Sequence, residues 1–230
     1  MEELLIRFSD IIFDEIISTD SSYGVIWKGI YNSNPVAIKM VMIKKGIYYD
    51  FDSCKEKHGK YTRKYFEVDE TKPFLHTHFL DHRPVSLHAF DNEVYTLNTF
   101  SKLNLAPKLY GYCIDNTHNN IHYGFIVMEL LDGSVKDIII HRSLSKPEKK
   151  IIIELINLMH HKYKCVHRDL KPSNIGIFLD ANKQIIRCVL IDLQSALFKK
   201  EMENRSEFDE LVGIDWELYK ERYKMNIRNR

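Results

Sequence analysis

A short polar segment, His167 to Asn174, carries the residue types best suited to chemistry in this sequence. Within its octapeptide, HRDLKPSN, Asp169 and Asn174 stand five residues apart and Lys171 lies between them. A carboxylate can accept the proton of an attacking hydroxyl group, and an amide oxygen can bind a metal ion. The alternative is a polar loop in which these residue types occur together by chance. The segments before and after the octapeptide decide between the two interpretations.

The octapeptide resembles the catalytic loop of eukaryotic-type protein kinases, which has the form H-R-D-L-x-x-x-N. The resemblance implies that Asp169 is the catalytic base and that Asn174 is a ligand of Mg²⁺. It also implies that Lys171 reaches the transferred phosphate, as in serine/threonine-specific kinases, whereas His167 and Arg168 belong to the scaffold. The expected activity is transfer of phosphate from ATP to serine or threonine hydroxyl groups.

Two upstream residues match the part of a kinase that positions the nucleotide. Residues 36–39, VAIK, match the V-A-I-K of the third strand, whose lysine binds the α- and β-phosphates. The resemblance pairs Lys39 with Glu93, in DNEVYTLNTF, and such a pair keeps the ammonium group charged and aimed. Taken alone, each residue has an ordinary alternative: a solvated lysine after an apolar strand, and an exposed glutamate on a helix.

Downstream, Asp192 begins an Asp-Leu-Gln tripeptide at the place of the kinase D-F-G segment. The resemblance makes Asp192 the second protein ligand of Mg²⁺, an ion that prefers hard oxygen donors. Leu193 keeps an apolar side chain that could pack beside Leu97. Gln194 replaces glycine and removes backbone freedom, which argues against ready switching of this segment between two conformations.

The loop that covers the phosphates is the least complete match. Of the G-x-G-x-x-G-x-V pattern only the third glycine is retained, and Thr19 and Ser21 stand in the first two glycine positions. Backbone amides and hydroxyl groups can still bind phosphate, so we expect weaker nucleotide affinity. Residues 127–133, VMELLDG, resemble the hinge, or form an ordinary buried strand that ends in a turn. The residues expected to bind ATP are Thr19, Ser21, Gly24, Ile26, Ala37, Lys39, Met128, Glu129 and Leu131.

The surrounding pattern predicts the elements that position these residues. Runs rich in β-branched and aromatic residues predict strands at 23–30, 35–43, 108–114, 123–130, 175–179 and 185–191. Residues 1–17 are expected to form a helix that leads into a strand. Apolar residues at helical spacing predict helices at 90–103, 134–142, 147–163 and 206–224. In the last helix, one inner face would carry Phe208, Leu211, Ile214 and Leu218.

Together with the resemblance, these elements predict an α+β fold of the bilobal protein kinase-like type. It would form one domain, with a β-rich N-lobe over residues 1–130 and a truncated helical C-lobe over residues 131–230. Residues 44–86 have no sustained period and are interpreted as an insertion in the N-lobe.

The insertion contains five side chains of the kinds that bind zinc: Cys54, His58, His76, His78 and His82. Their spacing matches no zinc motif that supports a site, so solvated or packed histidines are the stronger interpretation. The aromatic and basic part of the insertion could also be a docking surface, or a weak nucleic-acid patch with stacking rings. A solvated loop is favoured over both.

The composition is that of a packed globular protein: 44% of the 230 residues are hydrophobic, with only 9 Gly and 6 Pro. With 33 Lys+Arg and 32 Asp+Glu the net charge is +1, which argues against a coat for nucleic acid or an anionic membrane. The four cysteines form no CxxC pair, and neither a secretory signal nor a membrane-spanning apolar run is evident. We expect a soluble, intracellular, cytoplasmic protein.

The resemblance covers about residues 15–198, with no A-P-E sequence after Asp192 and with the peptide-docking helices of a full kinase expected to be absent or reduced to one. Such reduced chains resemble the RIO group, the small kinase of the tRNA-modifying KEOPS complex and kinases of large DNA viruses. Frequent Ile, Asn, Lys and Tyr favour a viral origin, and therefore action in a host cell.

Three functions stay open at this point. The first is an active serine/threonine kinase with a protein substrate. The second is a kinase mimic that binds a host or partner kinase without catalysis, and the third is a kinase-fold enzyme that acts on a small molecule. The complete set of catalytic residues favours the first, because a binding module has no use for Asp169 and Asn174 together.

Overall fold

The computed structural model describes residues 4–18, 24–44, 85–115, 121–202 and 204–228. The fold is mixed α/β, with a β-rich sheet region and several helices, and is compatible with the predicted α+β class. The chain divides into two compact units. We call the part up to Asp91 together with Leu109–Leu130 the sheet unit, and Asn92–Lys108 together with the residues from Leu131 onward the helical unit.

The sheet unit is built on five antiparallel strands in the order β1-β2-β3-β5-β4. The strands are β1 (Ile11–Ser18), β2 (Gly24–Tyr31), β3 (Asn34–Lys44), β4 (Leu109–Asp115) and β5 (Ile121–Glu129). The four strands predicted for this part of the chain are therefore confirmed. The helix expected over residues 1–17 is wrong, because a 3₁₀ turn, Phe8–Asp10, and then β1 occupy most of its described length.

Side chains alternate between the two faces of this sheet. One face carries the hydrophobic core, where Val36, Ile38, Met40 and Met42 of β3 are almost completely buried. The neighbouring strands contribute Ile11, Val25, Trp27, Cys113, Tyr123, Phe125 and Val127. The intervening residues of β3, among them Ala37 and Lys39, therefore lie on the opposite face.

The helical unit contains most of α1 (Leu87–Ser101) and all of α2 (Val135–Ile139), α3 (Lys146–Asn157) and α4 (Phe208–Arg228). A single π turn, Leu158–Lys162, extends α3. Its strands are β6 (Gly133–Ser134), β7 (Cys165–Val166), β8 (Ile175–Leu179), β9 (Ile185–Leu190) and β10 (Leu197–Phe198). β8 and β9 form a hairpin with β6 alongside, and β7 pairs with β10.

Local sequence explains where α3 begins. Ser145 accepts a hydrogen bond from the backbone N–H of Glu148, whose carboxylate accepts in turn from the N–H of Ser145. This reciprocal cap satisfies two backbone donors, and Pro147 occupies a position at which a missing N–H costs nothing. The helices predicted at 90–103, 147–163 and 206–224 are confirmed with shifted ends, and the one predicted at 134–142 is shorter, ending at Ile139.

The inner face predicted for α4 is partly wrong. Phe208 is buried as expected, but Ile214 is 40% exposed. The residue that is completely buried two turns after Phe208 is an acid, Asp215. An acidic side chain inside a protein needs hydrogen-bond partners, and these lie in the predicted catalytic loop.

Within the described residues, no helix combines the length and the apolar character that a membrane crossing requires.

Candidate active site

The predicted catalytic loop, residues 167–174, connects β7 to β8 in the helical unit. β7 is only two residues long, and its pairing with β10 fixes the start of the loop. Leu170 is completely buried at the centre of the loop, and a 3₁₀ turn, Pro172–Asn174, leads into β8. This anchoring leaves the side chains of Asp169 and Lys171 only 44% and 33% exposed.

Asp169 is the centre of a small hydrogen-bond cluster. Its Oδ2 accepts from Nζ of Lys171 at 2.6 Å and from Nδ2 of Asn174 at 3.0 Å. Nδ2 of Asn174 also donates to the backbone oxygen of Asp169, at 2.9 Å. No hydrogen bond within the described chain uses Oδ1 of Asp169. A carboxylate held through one oxygen and exposed through the other can accept the proton of a hydroxyl group.

These contacts also fix the orientation of Asn174. Both of its neighbours are acceptors on Asp169, so the amide nitrogen must face them and the amide oxygen must face away. In the described part of the chain, this oxygen accepts no hydrogen bond. An amide oxygen in such a position is a hard donor of the kind that Mg²⁺ prefers.

Asn174 and Asp192 lie at the same end of the β8–β9 hairpin. Asn174 directly precedes β8, and Asp192 follows Leu190, the last residue of β9, by two positions. Ile175 pairs with Leu190, and the backbone N–H of Ile191 donates to the oxygen of Asn174 at 3.1 Å. Antiparallel pairing therefore places Asn174 opposite Ile191, one position before Asp192, at the same end of the hairpin. A carboxylate and an amide oxygen fit Mg²⁺, which takes one or two carboxylates from a protein when it binds with phosphates.

A buried aspartate on α4 holds the start of the catalytic loop. Asp215 is 0% exposed, and its carboxylate accepts the backbone N–H groups of His167 at 2.7 Å and Arg168 at 2.8 Å. One of its oxygens also lies 3.0 Å from Nε2 of His160, in the π turn after α3. These three contacts stabilise a buried charge that would otherwise cost several kcal/mol. The same contacts tie α3 and α4 to the catalytic loop.

His167 links the catalytic loop to the strand that precedes Asp192. Its Nε2 lies 2.9 Å from the backbone oxygen of Ile191. A carbonyl only accepts hydrogen bonds, so Nε2 carries the proton. The backbone conformation is unusual at both ends of this link, since Arg168 and Asp192 have φ values of 67° and 60°. Five other non-glycine residues of the described chain share this left-handed conformation, so it does not by itself mark a site: Asn32, Ser33, Asn104, Lys164 and Lys183.

The predicted ATP-binding residues of β2, β3 and β5 share one face of the sheet. Lys39 pairs with both Ile26 and Ile126, and Ala37 pairs with Met128. Residues directly opposite one another in an antiparallel sheet lie on the same face. Gly24, opposite Val41, belongs to this face as well. The register therefore aligns Gly24, Ile26, Ala37, Lys39 and Met128 on the face away from the hydrophobic core.

The remaining predicted residues are distributed as follows. Lys39 in the sheet unit and Glu93 in the helical unit are both buried, and their pairing stays a prediction. Glu129 ends β5, and Leu131 belongs to the helical unit. Thr19 and Ser21 lie outside the described residues.

Comparison with known proteins finds partial similarity to serine/threonine-protein kinases. No protein-family model matches the chain. An alignment 96 positions long, which covers 37% of the chain and 14% of the relative, shows 33% identity to the probable serine/threonine-protein kinase sky1 of Dictyostelium discoideum. A second alignment, 92 positions long, covers 37% of the chain and 11% of a G-type lectin S-receptor-like serine/threonine-protein kinase of Arabidopsis thaliana, again with 33% identity.

These two similarities support a kinase-like relationship. They are distant and partial, and the chain spans well under a fifth of the length of either kinase. The kinase-like assignment therefore rests on a third of the chain and on the geometry of the catalytic loop together.

Other chemistry is poorly supported in the described part of the kinase-like chain. There, no three His, Cys, Asp or Glu side chains cluster as metal ligands. The five residues considered for zinc all lie outside the described ranges. Burial raises the pKa of the Cys113 and Cys188 thiols to about 12, and it also raises that of Cys165. None of these three free cysteines is therefore a reactive thiolate at neutral pH.

Sequence reasoning missed Asp215 and His160 as residues that hold the catalytic loop. One local signal was available for Asp215, because it follows Phe208 by seven residues and so falls on the same face of the helix. Its partners could not be inferred locally, since His167 lies 48 positions away along the chain.

Proposed function

We propose that the protein is an ATP- and Mg²⁺-dependent phosphotransferase that acts on serine or threonine hydroxyl groups of a protein substrate. The observation that carries this proposal is the arrangement of Asp169, Asn174 and Asp192. The carboxylate of Asp169 is held through one oxygen by Lys171 and Asn174, and Asn174 lies one register position from Asp192 at the end of the hairpin. The partial similarity to serine/threonine kinases supports the same conclusion.

Each residue has a chemical role in this proposal. Oδ1 of Asp169 accepts the proton of the substrate hydroxyl as its oxygen attacks the γ-phosphorus. The bond from phosphorus to the β,γ-bridging oxygen breaks, and ADP leaves with that electron pair. Lys171, bound to Asp169 at 2.6 Å, supplies positive charge beside the transferred phosphate. Asn174 and Asp192 would hold Mg²⁺, which neutralises charge on the phosphate oxygens when it is bound.

The sheet unit supplies the nucleotide contacts. Lys39 binds the α- and β-phosphates, and Glu93 orients its ammonium group. The apolar side chains of Ile26, Ala37 and Met128 lie on the same sheet face as Lys39 and suit the flat, apolar surface of an adenine ring. The proposal includes a protein substrate and a regulatory or host partner protein, the partners that the kinase resemblance implies.

A second candidate is a kinase-fold enzyme that acts on a small hydroxyl compound. It is favoured by the segment between Asp192 and α4, residues 193–207. Wherever this segment is described, it consists of 3₁₀ turns and the two residues of β10 that pair with β7. A small substrate needs less docking surface than a peptide does.

The deciding experiment is transfer of labelled γ-phosphate from ATP with Mg²⁺, to a protein mixture and to small hydroxyl compounds separately. Wild type is compared with Asp169→Asn and Lys39→Met, and with two exposed controls, Asp209→Asn and Lys149→Met. Loss of the base should lower the rate by about 100- to 10,000-fold. Both controls should retain the wild-type rate.

The acceptor that becomes labelled separates the protein kinase from the small-molecule enzyme. If wild type transfers no more phosphate than Asp169→Asn and Lys39→Met and still binds a kinase, the chain is a kinase mimic and the proposal is wrong.

A further inference from the structure

A side chain on α1 contacts the segment that follows Asp192. Asn92 is half-buried and immediately precedes Glu93. Its Nδ2 donates to the backbone oxygen of Gln194 at 2.9 Å and to that of Ala196 at 3.2 Å. An amide nitrogen has two hydrogens, so these two carbonyls use its whole donor capacity and fix the orientation of the side chain. All of these residues belong to the helical unit.

The two carbonyls lie at and just after a tight turn. Leu193–Ser195 forms a 3₁₀ turn directly after Asp192, closed by the hydrogen bond from the N–H of Ala196 to the oxygen of Leu193 at 3.0 Å. Leu193 and Ala196 are both buried. Beyond the turn, β10 pairs with β7, which leads into the catalytic loop. The turn is thus fixed from within, from its C-terminal side, and from α1 through Asn92.

Asp192 needs such support because of its own backbone. Its φ and ψ values are 60° and 54°, in the left-handed region that disfavours a side chain. Aspartate adopts this conformation more readily than most residues, and contacts that fix the following turn help to hold it there. Asn92 supplies the side-chain hydrogen bonds to the turn that follows, and these bonds are partly buried.

We infer that Asn92 is a positioning residue that holds Asp192 in place to bind the metal of a metal–nucleotide complex. This inference rests on the proposed function. Since Asn92 and Glu93 are neighbours on α1, one helix then carries the residue that orients the phosphate-binding lysine and the residue that fixes the metal ligand. The hydrogen bonds of Asn92 thereby favour the observed conformation of the segment after Asp192.

The test compares substitutions at two asparagines of the same helix. Asn92→Asp keeps the shape of the side chain but turns a carboxylate oxygen toward two carbonyls, and Asn92→Ala removes the donor without adding charge. Asn98→Asp and Asn98→Ala are matched controls, because the Asn98 side chain makes no hydrogen bond within the described residues. Two quantities are measured: hydrogen–deuterium exchange of residues 193–198, and the affinity for Mn²⁺ in the presence of ATP by electron paramagnetic resonance.

Both Asn92 variants should accelerate exchange of residues 193–198 and weaken Mn²⁺ binding, each by about tenfold, as expected for loss of two partly buried hydrogen bonds. ATP affinity in EDTA should stay at the wild-type value, because the nucleotide contacts are unchanged. The Asn98 variants should match wild type in all three measurements.

Two results would overturn the inference alone. One is wild-type Mn²⁺ affinity in both Asn92 variants, and the other is exchange that rises equally over the whole chain, which indicates global destabilisation. A wild-type protein that binds no Mn²⁺ with ATP would instead overturn the proposed function, and the inference with it.

Discussion

The sheet unit and the helical unit place their functional residues by different means. In the sheet unit, Ala37, Lys39 and Met128 are aligned by strand register, and a continuous ladder and an apolar core support each of them. In the helical unit, single polar side chains bond to backbone groups of the site, as Asp215 does to His167 and Arg168. In the sheet unit, many weak contacts along the strands together hold the functional residues in position. In the helical unit, the same task depends on a few polar side chains. Single substitutions should therefore affect the two units differently.

The largest effect should come from Asp215→Ala. This change leaves two backbone N–H groups and His160 without their shared acceptor in a completely buried position, and should lower the free energy of unfolding by about 3–5 kcal/mol. Asp215→Asn keeps one acceptor and should lose less. Urea denaturation gives the free energy, and the phosphate-transfer rate should fall in parallel.

Asp209→Asn, an exposed acid on the same helix, is the control for Asp215 and should leave both quantities unchanged. A stable Asp215→Ala protein with the wild-type transfer rate would show that the catalytic loop keeps its conformation without Asp215. The helical unit would then not depend on single polar side chains, contrary to the comparison above.

Glu148 should make the stability of the helical unit depend on acidity. Its hydrogen bonds to Arg142, at 2.9 and 2.6 Å, and those from the N–H groups of Ile185 and Ser145 lower its pKa from 4.5 to about 2. Because the pKa of Glu148 is lower in the folded state than in the unfolded state, its contribution to stability is complete above pH 4.5. This contribution is lost progressively as the pH falls from 4.5 to about 2. The total should be roughly 3 kcal/mol.

The comparison for this prediction is Glu148→Gln against Glu154→Gln, whose carboxylate is 59% exposed and only 3.7 Å from Lys150. Between pH 2 and 6, the free energy of unfolding should depend less on pH in Glu148→Gln than in wild type. In Glu154→Gln it should show the wild-type pH dependence. Equal slopes in both variants would contradict the role of the buried carboxylate.

Two glycines, one in each unit, should respond to alanine with opposite signs. A Cβ at Gly29 in β2 would collide with the backbone oxygen of Ile12 and with Ile38, and backbone cannot move aside cheaply. Gly29→Ala should therefore destabilise by about 1–3 kcal/mol. Gly213, within α4, has nothing within 4 Å of its Cβ position, so Gly213→Ala should stabilise by up to about 1 kcal/mol.

Thermal unfolding of the two glycine variants checks both signs in one experiment. Stabilisation by Gly29→Ala would show that the first two strands tolerate a wider spacing than the register implies.

The smallest effect should come from the ion pair between β1 and β2 of the sheet unit. Lys28 and Glu15 are 3.1 Å apart, but their side chains are 40% and 61% exposed. Solvent screens such pairs, so Lys28→Met should cost less than about 1 kcal/mol. A double-mutant cycle with Glu15→Gln measures the coupling free energy of the pair. A coupling energy as large as the loss of stability in Asp215→Ala would contradict the proposed difference between the units.

The sequence predicts four of the five strands of the sheet unit because their signals are local. Each of these four carries its own run of β-branched and aromatic residues, whereas β1 was expected to be helical. The alternation along β3 places Lys39 on the face away from the core side chains. The proximity of Asn174 and Asp192 also follows from local pattern, because a hairpin lies between them.

The supports of the catalytic loop could not be predicted in this way. Asn92 and Gln194 are 102 positions apart, and Asp215 and Arg168 are 47 apart. A side chain that bonds to a distant backbone group leaves no periodic pattern. We assumed that the buried face of the last helix is apolar, and so the prediction placed Ile214 there instead of Asp215. Asp215 is buried because hydrogen-bond donors from distant parts of the chain stabilise it.

The central claim is that Asn174 and Asp192 bind the metal of a metal–nucleotide complex beside the base Asp169. Isothermal titration calorimetry of ATP binding, with Mg²⁺ and with EDTA, tests it directly in wild type and in Asp192→Asn. The account predicts that Mg²⁺ tightens ATP binding by at least about tenfold in wild type and has little effect in Asp192→Asn. Equal ATP affinity with and without Mg²⁺ in the wild-type protein would contradict it.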